Sequence, residues 1–240
     1  EISSPCLRTI RITLMCSRYC LTSPAEAVRR TFATFNVEEF PPRYNIAPTQ
    51  PVLIVRNSLR HERETVLVRW GLIPSWVKDP QSFTTLINAR SETAQEKPSF
   101  RASMRHRRCL VPTDGFYEWT GEKGAKQPRL IRPKAGGLMA MAGIWEHWLG
   151  ADGSELETMA ILTVTANRTM RSIHDRMPAI LGRDAFEPWL DCRSGSAAFA
   201  TQMLKPAPDD LLEVLSVSRA LNNPRNEGPE VQLSPDSNLN

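Results

Sequence analysis

Four residues carry chemistry that a plain hydrophobic core would not need. Cys16 follows Met15, so removal of the methionine would leave one residue with both a free α-amine and a free thiol. An α-amine titrates at ~7.7–8.0, which leaves a neutral, nucleophilic fraction roughly a hundredfold larger than for a lysine near ~10.4. Glu118 lies in Asp114-Gly-Phe-Tyr-Glu-Trp119, flanked by aromatics. A carboxyl in apolar surroundings keeps its proton to higher pH and can shuttle it. His174 opens the run His174-Asp-Arg-Met-Pro178, and imidazole is the side chain that changes charge near neutrality. Asn88 offers a donor and an acceptor with which to hold a reacting group. Three of the four have a plainer alternative: a small buried hydrophobe for Cys16, an exposed strand glutamate for Glu118, a satisfied structural side chain for His174.

The elements that must position these residues are mostly strands. Val52–Val55 and Thr65–Trp70 are β-rich runs around the polar stretch 56–64, the pattern of a hairpin. Further strands are expected at Cys109–Val111, Phe116–Trp119, Leu138–Trp145, Met159–Thr165 and Ala179–Leu181. Ser23-Pro24-Ala25-Glu26 has the order of an N-cap, a first-position proline and a capping-box glutamate, opening a helix to about Phe35. Short helices are expected near Pro98, Asn167, Arg183 and Ser194, and a proline-punctuated loop over Pro41–Gln50. Strands and helices follow no steady alternation and no repeat. The expected fold is therefore α+β, a single domain with a mixed, largely antiparallel, barrel-like sheet flanked by short helices. Residues 15–223 form this domain, and the polar stretch 224–240 is expected to be a flexible tail.

Composition narrows the class. The chain has 240 residues, is 41% hydrophobic and 23% charged, and has the balance of a soluble globular domain. No apolar stretch approaches the roughly 20 residues that span a bilayer, so no membrane partner is expected. The net charge is +4, with 24 arginines against six lysines. Arginine's planar fork matches phosphate, so this bias permits a nucleic-acid partner, although GC-rich codon usage would produce it too. Five irregularly spaced cysteines fit a reducing compartment, hence the cytoplasm, better than a disulfide framework. Four scattered histidines form no metal motif, so no metal or other cofactor is expected. Residues 1–14 carry Arg8 and Arg11 where a signal peptide would be apolar, and are expected to be a non-native or removable leader ahead of Met15. Nothing in the sequence suggests an obligate interface, and a monomer is expected.

Six short blocks stand out in series: Met15-Cys-Ser-Arg-Tyr19, Arg43-Tyr-Asn-Ile-Ala-Pro-Thr-Gln50, Trp70-Gly-Leu-Ile-Pro-Ser-Trp76, Asn88-Ala-Arg-Ser-Glu-Thr93, Arg108-Cys-Leu-Val-Pro-Thr-Asp-Gly-Phe-Tyr-Glu-Trp119 and Ile173-His-Asp-Arg-Met-Pro178. In this order and spacing they resemble the SOS response-associated peptidase (SRAP) family of abasic-site processing proteins, over Met15 to about Asn223. The resemblance implies a sensor of abasic sites in single-stranded DNA, acting in the DNA-damage response and nucleoid-associated when bound. Its covalent nucleophile would be Cys16, once N-terminal, closing a thiazolidine ring on the sugar aldehyde. Glu118 would then move protons, His174 would protonate the sugar ring oxygen and open it, and Asn88 would position the amine or the sugar. Arg90 and Arg176, each two residues from Asn88 or His174, would share a face with them and fork onto backbone phosphates. Arg18 is a similar candidate, Trp76, Pro48 and Phe116 would offer flat surfaces to flanking bases, and Thr163 a hydroxyl to phosphate. The run Arg105-His-Arg-Arg108 is either a solvated face or a further contact. Ser17 departs from the family pattern, which has glycine after the cysteine, and would restrict the backbone if a positive φ were needed there.

Two other classes fit some of the same residues. Cys16, His174 and Asn88 together have the composition of a thiol-peptidase triad, acting on protein substrates or only on the chain's own leader. A non-covalent single-strand binding module would need the arginines and tryptophans alone, and its complexes would dissolve in high salt.

Overall fold

In the computed structural model, which describes residues 16–36, 39–122 and 124–235, a five-strand ring forms the centre of the molecule. The expected leader, with Met15, lies outside the described residues. In chain order the strands are β1 (Tyr19–Leu21), β2 (Arg43–Ile46), β3 (Pro51–Asn57), β4 (Arg63–Trp70), β5 (Asn88–Arg90), β6 (Arg108–Thr113), β7 (Gly115–Thr120), β8 (Gln127–Pro133), β9 (Met139–Leu149), β10 (Glu155–Thr165), β11 (Arg176–Pro178), β12 (Ile180–Leu181) and β13 (Leu212–Ser216). The helices are α1 (Ala25–Phe32), α2 (Arg101–His106), α3 (Arg168–Arg171), α4 (Phe186–Leu190) and α5 (Ala197–Gln202).

The ring runs β3–β4–β10–β9–β6 and back to β3. Only the β4–β10 step is parallel; the others are antiparallel. The barrel-like α+β expectation is thus met by a sheet that closes on itself, which removes its free edges. Closure demands a dense interior, and Gly143 marks the tightest point. A Cβ there would lie 2.8 Å from the Cys109 sulfur and 3.0 Å from a Val111 methyl, so the side chains of β6 fill the space that glycine leaves on β9. Beyond the ring, β5 adds to β10 in parallel and β11 pairs with the last turn of β10. These two short strands carry Asn88, Arg90 and Arg176.

A second, five-stranded antiparallel sheet runs β13–β8–β7–β1–β2. The chain passes from ring to second sheet through one residue, Asp114, between β6 and β7. Its backbone N–H donates to Cys20 O at 3.0 Å. Its carboxylate accepts from Thr22 N, Thr22 Oγ1, Ser23 N and Ser23 Oγ at 2.5 to 3.1 Å. These bonds lock the end of β1 against the start of β7.

They also explain a correction. Ser23 does not cap α1, because its hydroxyl is committed to Asp114; Pro24 occupies the N-cap without a side-chain bond. The helix ends at Phe32 rather than near Phe35, where Ala33 turns left-handed (φ 54°). Phe32 is buried and stacks on Phe186 of α4 at 5.3 Å. Three further expectations change. The proline-rich stretch 41–50 contains β2, whose Asn45 is fully buried. In the basic run, Arg105 and His106 are exposed, but Arg108 is a core residue donating to the carbonyls of Trp189, Met104 and Asp191 at 2.6 to 2.9 Å. The stretch 224–235, expected to be loose, packs down: Val231 is buried and Gln232 donates to the Tyr117 hydroxyl at 2.7 Å. None of the helices among the described residues is long and apolar enough to cross a membrane.

Replacing Asp114 by alanine removes the acceptor for two backbone N–H groups and two hydroxyls. We expect Asp114→Ala to cost about 3 kcal/mol, seen by calorimetry as a fall in Tm of roughly 6–12 °C.

Candidate functional site

The register of β1 on β7 builds the centre of the site. Tyr19 lies opposite Phe116 and Cys20 opposite Gly115, and Tyr117 N donates to Arg18 O at 2.9 Å. Followed back along β1, this antiparallel pairing carries Cys16 towards Glu118. The backbone N–H of Cys16 donates to Glu118 Oε1 at 2.7 Å, joining two residues 102 positions apart. Both are enclosed, with Cys16 2% and Glu118 5% exposed.

Burial sets the protonation of this pair. It pushes the Glu118 carboxyl above the ordinary carboxylate range, opposed by the Cys16 N–H and by the positive charge available on His174. It also pushes the Cys16 thiol well above its usual value, and the neighbouring Glu118 charge adds to the rise. Both groups therefore favour their neutral forms. That result departs from a thiol-peptidase triad, where an imidazole lowers the thiol's pKa. His174, two residues ahead of β11, is instead turned to the start of that strand: Nδ1 accepts the Arg176 N–H at 3.0 Å. In the neutral ring this fixes the proton on Nε2; when the ring is charged, Nδ1–H has the Asp175 carboxylate at 2.9 Å.

Cys16 has a left-handed backbone (φ 39°), whereas Ser17 does not. The concern that serine would be strained where the family has glycine therefore does not apply: the unusual angle falls one residue earlier. Arg18 points inward. Its Nη1 donates to Asn45 Oδ1 at 2.7 Å and to Leu221 O at 3.1 Å, and its guanidinium lies 5.6 Å from the Trp119 ring centre.

The other expected residues divide into two groups. Asn88 and Arg90 share one face of β5, paired with Ile161 and Thr163 of β10. Arg176 enters from β11 on the other side of β10, and its Nη2 donates to Thr163 O at 2.6 Å. Arg90 is exposed, and Pro48 is partly so. Trp76 is 58% exposed, set edge-on to Phe83 at 5.8 Å, and offers an open indole face. Two expectations fail. Phe116 is fully buried in the main core, on a stretch of β7 whose two faces are both covered, and so presents no surface to a base. Thr163 is buried as well, its hydroxyl donating to Ala89 O at 3.4 Å, so it braces Arg176 and β5 rather than meeting phosphate.

Sequence reasoning missed Asn45, Glu92 and Asn222. Asn45 donates to the carbonyls of Leu221, Asn223 and Asn226 while accepting from Arg18, which ties the C-terminal stretch to the residue two after Cys16. Asn222 Oδ1 receives the Trp119 indole N–H at 2.7 Å, next to Glu118. The signal for Asn45 was its place within Arg43–Gln50, where a buried amide among apolar residues must satisfy itself on backbone.

The Glu118 shift has a thermodynamic consequence in a chain that retains the residues before Cys16. The folded state holds the proton to higher pH than the unfolded state, so stability is full below the ordinary glutamate range and falls as pH rises through the raised value. Urea titrations should show wild type losing stability relative to Glu118→Gln across that window, with a constant difference on either side. A difference that stays flat throughout would show that Glu118 is not held protonated.

The chain can now be set beside known proteins. The model of the SOS response associated peptidase (SRAP) family matches residues 15–224. Abasic site processing protein YoqW of Bacillus subtilis is 38% identical over 224 residues, covering 90% of this chain and 98% of that protein. Abasic site processing protein HMCES of Mus musculus is 33% identical, covering 89% of this chain and 71% of its own length. Among solved structures, a protein of Bacteroides thetaiotaomicron superposes with a TM-score of 0.80 at 29% identity, covering 91% of this chain and 99% of that one. A Bordetella bronchiseptica protein gives 0.74, also at 29%, covering 85% of this chain and all of its own. With a family model spanning the whole ring and second sheet, and the Cys16–Glu118 pair within it, this chain belongs to the SRAP family.

Proposed function

We propose that this protein processes abasic sites in DNA, and that it does so by covalent capture on Cys16 once that residue is N-terminal. The observation that carries this reading is the 2.7 Å contact between the Cys16 nitrogen and the Glu118 carboxyl, with a neutral thiol on the same residue. The relatives' names, which assign them abasic-site processing, support the substrate class.

An opened abasic sugar presents an aldehyde. The neutral Cys16 amine adds to the aldehyde carbon to give a carbinolamine, and loss of hydroxide as water leaves an iminium ion. Glu118, held neutral by burial, supplies the proton for that departing water. The thiol then adds to the same carbon, its proton returns to Glu118, and the nitrogen electron pair is restored in a five-membered thiazolidine. The net change is amine plus thiol plus aldehyde giving the ring and one water. A buried thiol is a poor nucleophile at first, but the adjacent iminium charge favours its ionisation at the moment of closure. Ring closure is intramolecular, which gives it the high effective concentration of a tethered nucleophile. His174, in its charged form, donates its Nε2 proton to the sugar ring oxygen while the anomeric hydroxyl gives its proton to water, which opens the ring to the aldehyde. Asn88 holds the amine or the sugar. Arg90, Arg176, Trp76 and Pro48 take the phosphates and bases of a single strand in the DNA-damage response.

A second reading concerns the residues ahead of Cys16. The nitrogen that Glu118 contacts is the leaving atom of the Met15–Cys16 peptide bond, which favours self-removal of the leader. The thiol adds to the Met15 carbonyl carbon, the C–N bond breaks as Glu118 protonates the nitrogen and takes up the thiol's proton in return, and water hydrolyses the thioester to the Met15 carboxylate and the free Cys16 thiol. The left-handed backbone at Cys16 exists only while a preceding peptide is attached and costs about 1–2 kcal/mol, which cleavage releases. Full-length Cys16→Ala and Glu118→Ala should keep residues 1–15 under conditions where wild type loses them. Loss from the variants at the wild-type rate would sink self-removal.

Covalent capture is tested by incubating protein that begins at Cys16 with a single-stranded oligonucleotide containing one abasic site, then resolving the mixture on denaturing gels. We expect a retarded band from wild type, none from Cys16→Ala, and formation slowed by roughly 10²-fold in Glu118→Gln. A wild-type complex seen only on native gels, and lost in high salt, would replace this reading with non-covalent binding.

A further inference from the structure

Arg176 is expected to fork onto phosphate, yet in the DNA-free protein its fork is already occupied. Nη1 donates to Glu92 Oε1 at 2.5 Å and Nη2 to Glu92 Oε2 at 2.8 Å, the two-point geometry by which a guanidinium also grips two phosphate oxygens. Thr163 O holds Nη2 from behind at 2.6 Å, and Arg176 itself is mostly enclosed. Glu92 is half exposed, just past the end of β5, two residues after Arg90. Arg90 makes no ion pair among the described residues, although it sits in register with Thr163, the residue that braces Arg176. One arginine of the pair is therefore open to solvent while the other is closed by a carboxylate. That carboxylate would repel the very polyanion the two arginines are placed to receive.

We propose that Glu92 is a specificity-determining residue that occupies the phosphate fork of Arg176 and must be displaced by a DNA backbone phosphate. The carboxylate is matched to the fork, so an arriving phosphate gains only the difference between two similar anions. Weak encounters with undamaged strands then fail to open the fork. A strand anchored at Cys16 keeps a phosphate beside it long enough to exchange. Glu92 is thereby a brake on binding that is not followed by capture. This inference rests on the DNA-binding reading above and adds a residue to it.

The test uses an undamaged single-stranded oligonucleotide, so that affinity is measured without covalent chemistry, by fluorescence anisotropy at fixed low salt. Glu92→Gln keeps the shape and removes the charge that holds the fork. It should tighten binding by about fivefold, and the gain should vanish when Arg176 is also replaced by glutamine, a coupling that isolates this pair. Thermal melts of all four proteins establish that each is folded at the assay temperature. An equal gain from Glu92→Gln with and without Arg176 would mean that Glu92 acts only as bulk negative charge, and would overturn the proposal. Weaker binding by Glu92→Gln would also overturn it, making Glu92 a support that orients Arg176. Absence of any binding by wild type would instead count against the DNA-binding reading itself.

Discussion

A carboxyl group shut away from water and bonded to one backbone nitrogen is the constraint around which this structure is arranged. Glu118 is costly to bury charged, and the N–H of Cys16 donates to it at 2.7 Å. Keeping those two atoms together requires that β1 pair with β7 in a single register, since a slip of one residue would turn Glu118 to the opposite face. The Asp114 corner fixes that register at one end, through Thr22 and Ser23. At the other end Asn45 and the carbonyl of Leu221 hold Arg18. The closed ring behind them supplies a rigid wall, and the second sheet supplies the two strands that meet.

In the proposed capture the same enclosure sets the order of steps. Neutral thiol and neutral carboxyl are what burial favours, which would leave the amine to act first and let charge build on the site only when a substrate brings it. A positive intermediate would stabilise both ionised partners at once. Charge is handled differently at the rim, where β5, β10 and β11 set Arg90 and Arg176 on either side of one strand. There, as proposed, the electrostatics are those of an exchange between carboxylate and phosphate rather than of desolvation. On that reading the site has a dry centre for protons and a wetter edge for anions.

Much of the architecture was legible because apolar strands announce themselves. The hairpin of β3 and β4, and the long strands β9 and β10, follow directly from β-branched and aromatic runs. The strands that went unseen are β1, β2, β5, β8, β11 and β13; β1, β2, β5 and β11 have only three or four residues, β8 and β13 carry charged or polar members, and the existence of all six depends on neighbours far away in sequence. Cys16, Glu118, His174 and Asn88 could be singled out by type and by family pattern, whereas the 102-residue contact between the first two is a matter of register and is invisible locally. Phe116 shows why an aromatic near a site is a poor guide: β7 is covered on both faces at this point, so Phe116 and Tyr117 are each fully buried although they point opposite ways. The C-terminal stretch misled for the opposite reason. Its composition is polar, but Leu221 and Val231, single apolar residues, are each fully buried and anchor it.

The central claim is that amine and thiol of one residue act together on one carbon. Its most direct test is the intact mass of protein beginning at Cys16 after reaction with abasic single-stranded DNA, measured with and without borohydride. The account predicts the summed masses less one water, with no gain of hydrogen from borohydride and no Cys16 thiol left to alkylate. A two-hydrogen increase with the thiol still alkylatable would show an open Schiff base and contradict ring closure. An unshifted protein mass would contradict covalent capture altogether.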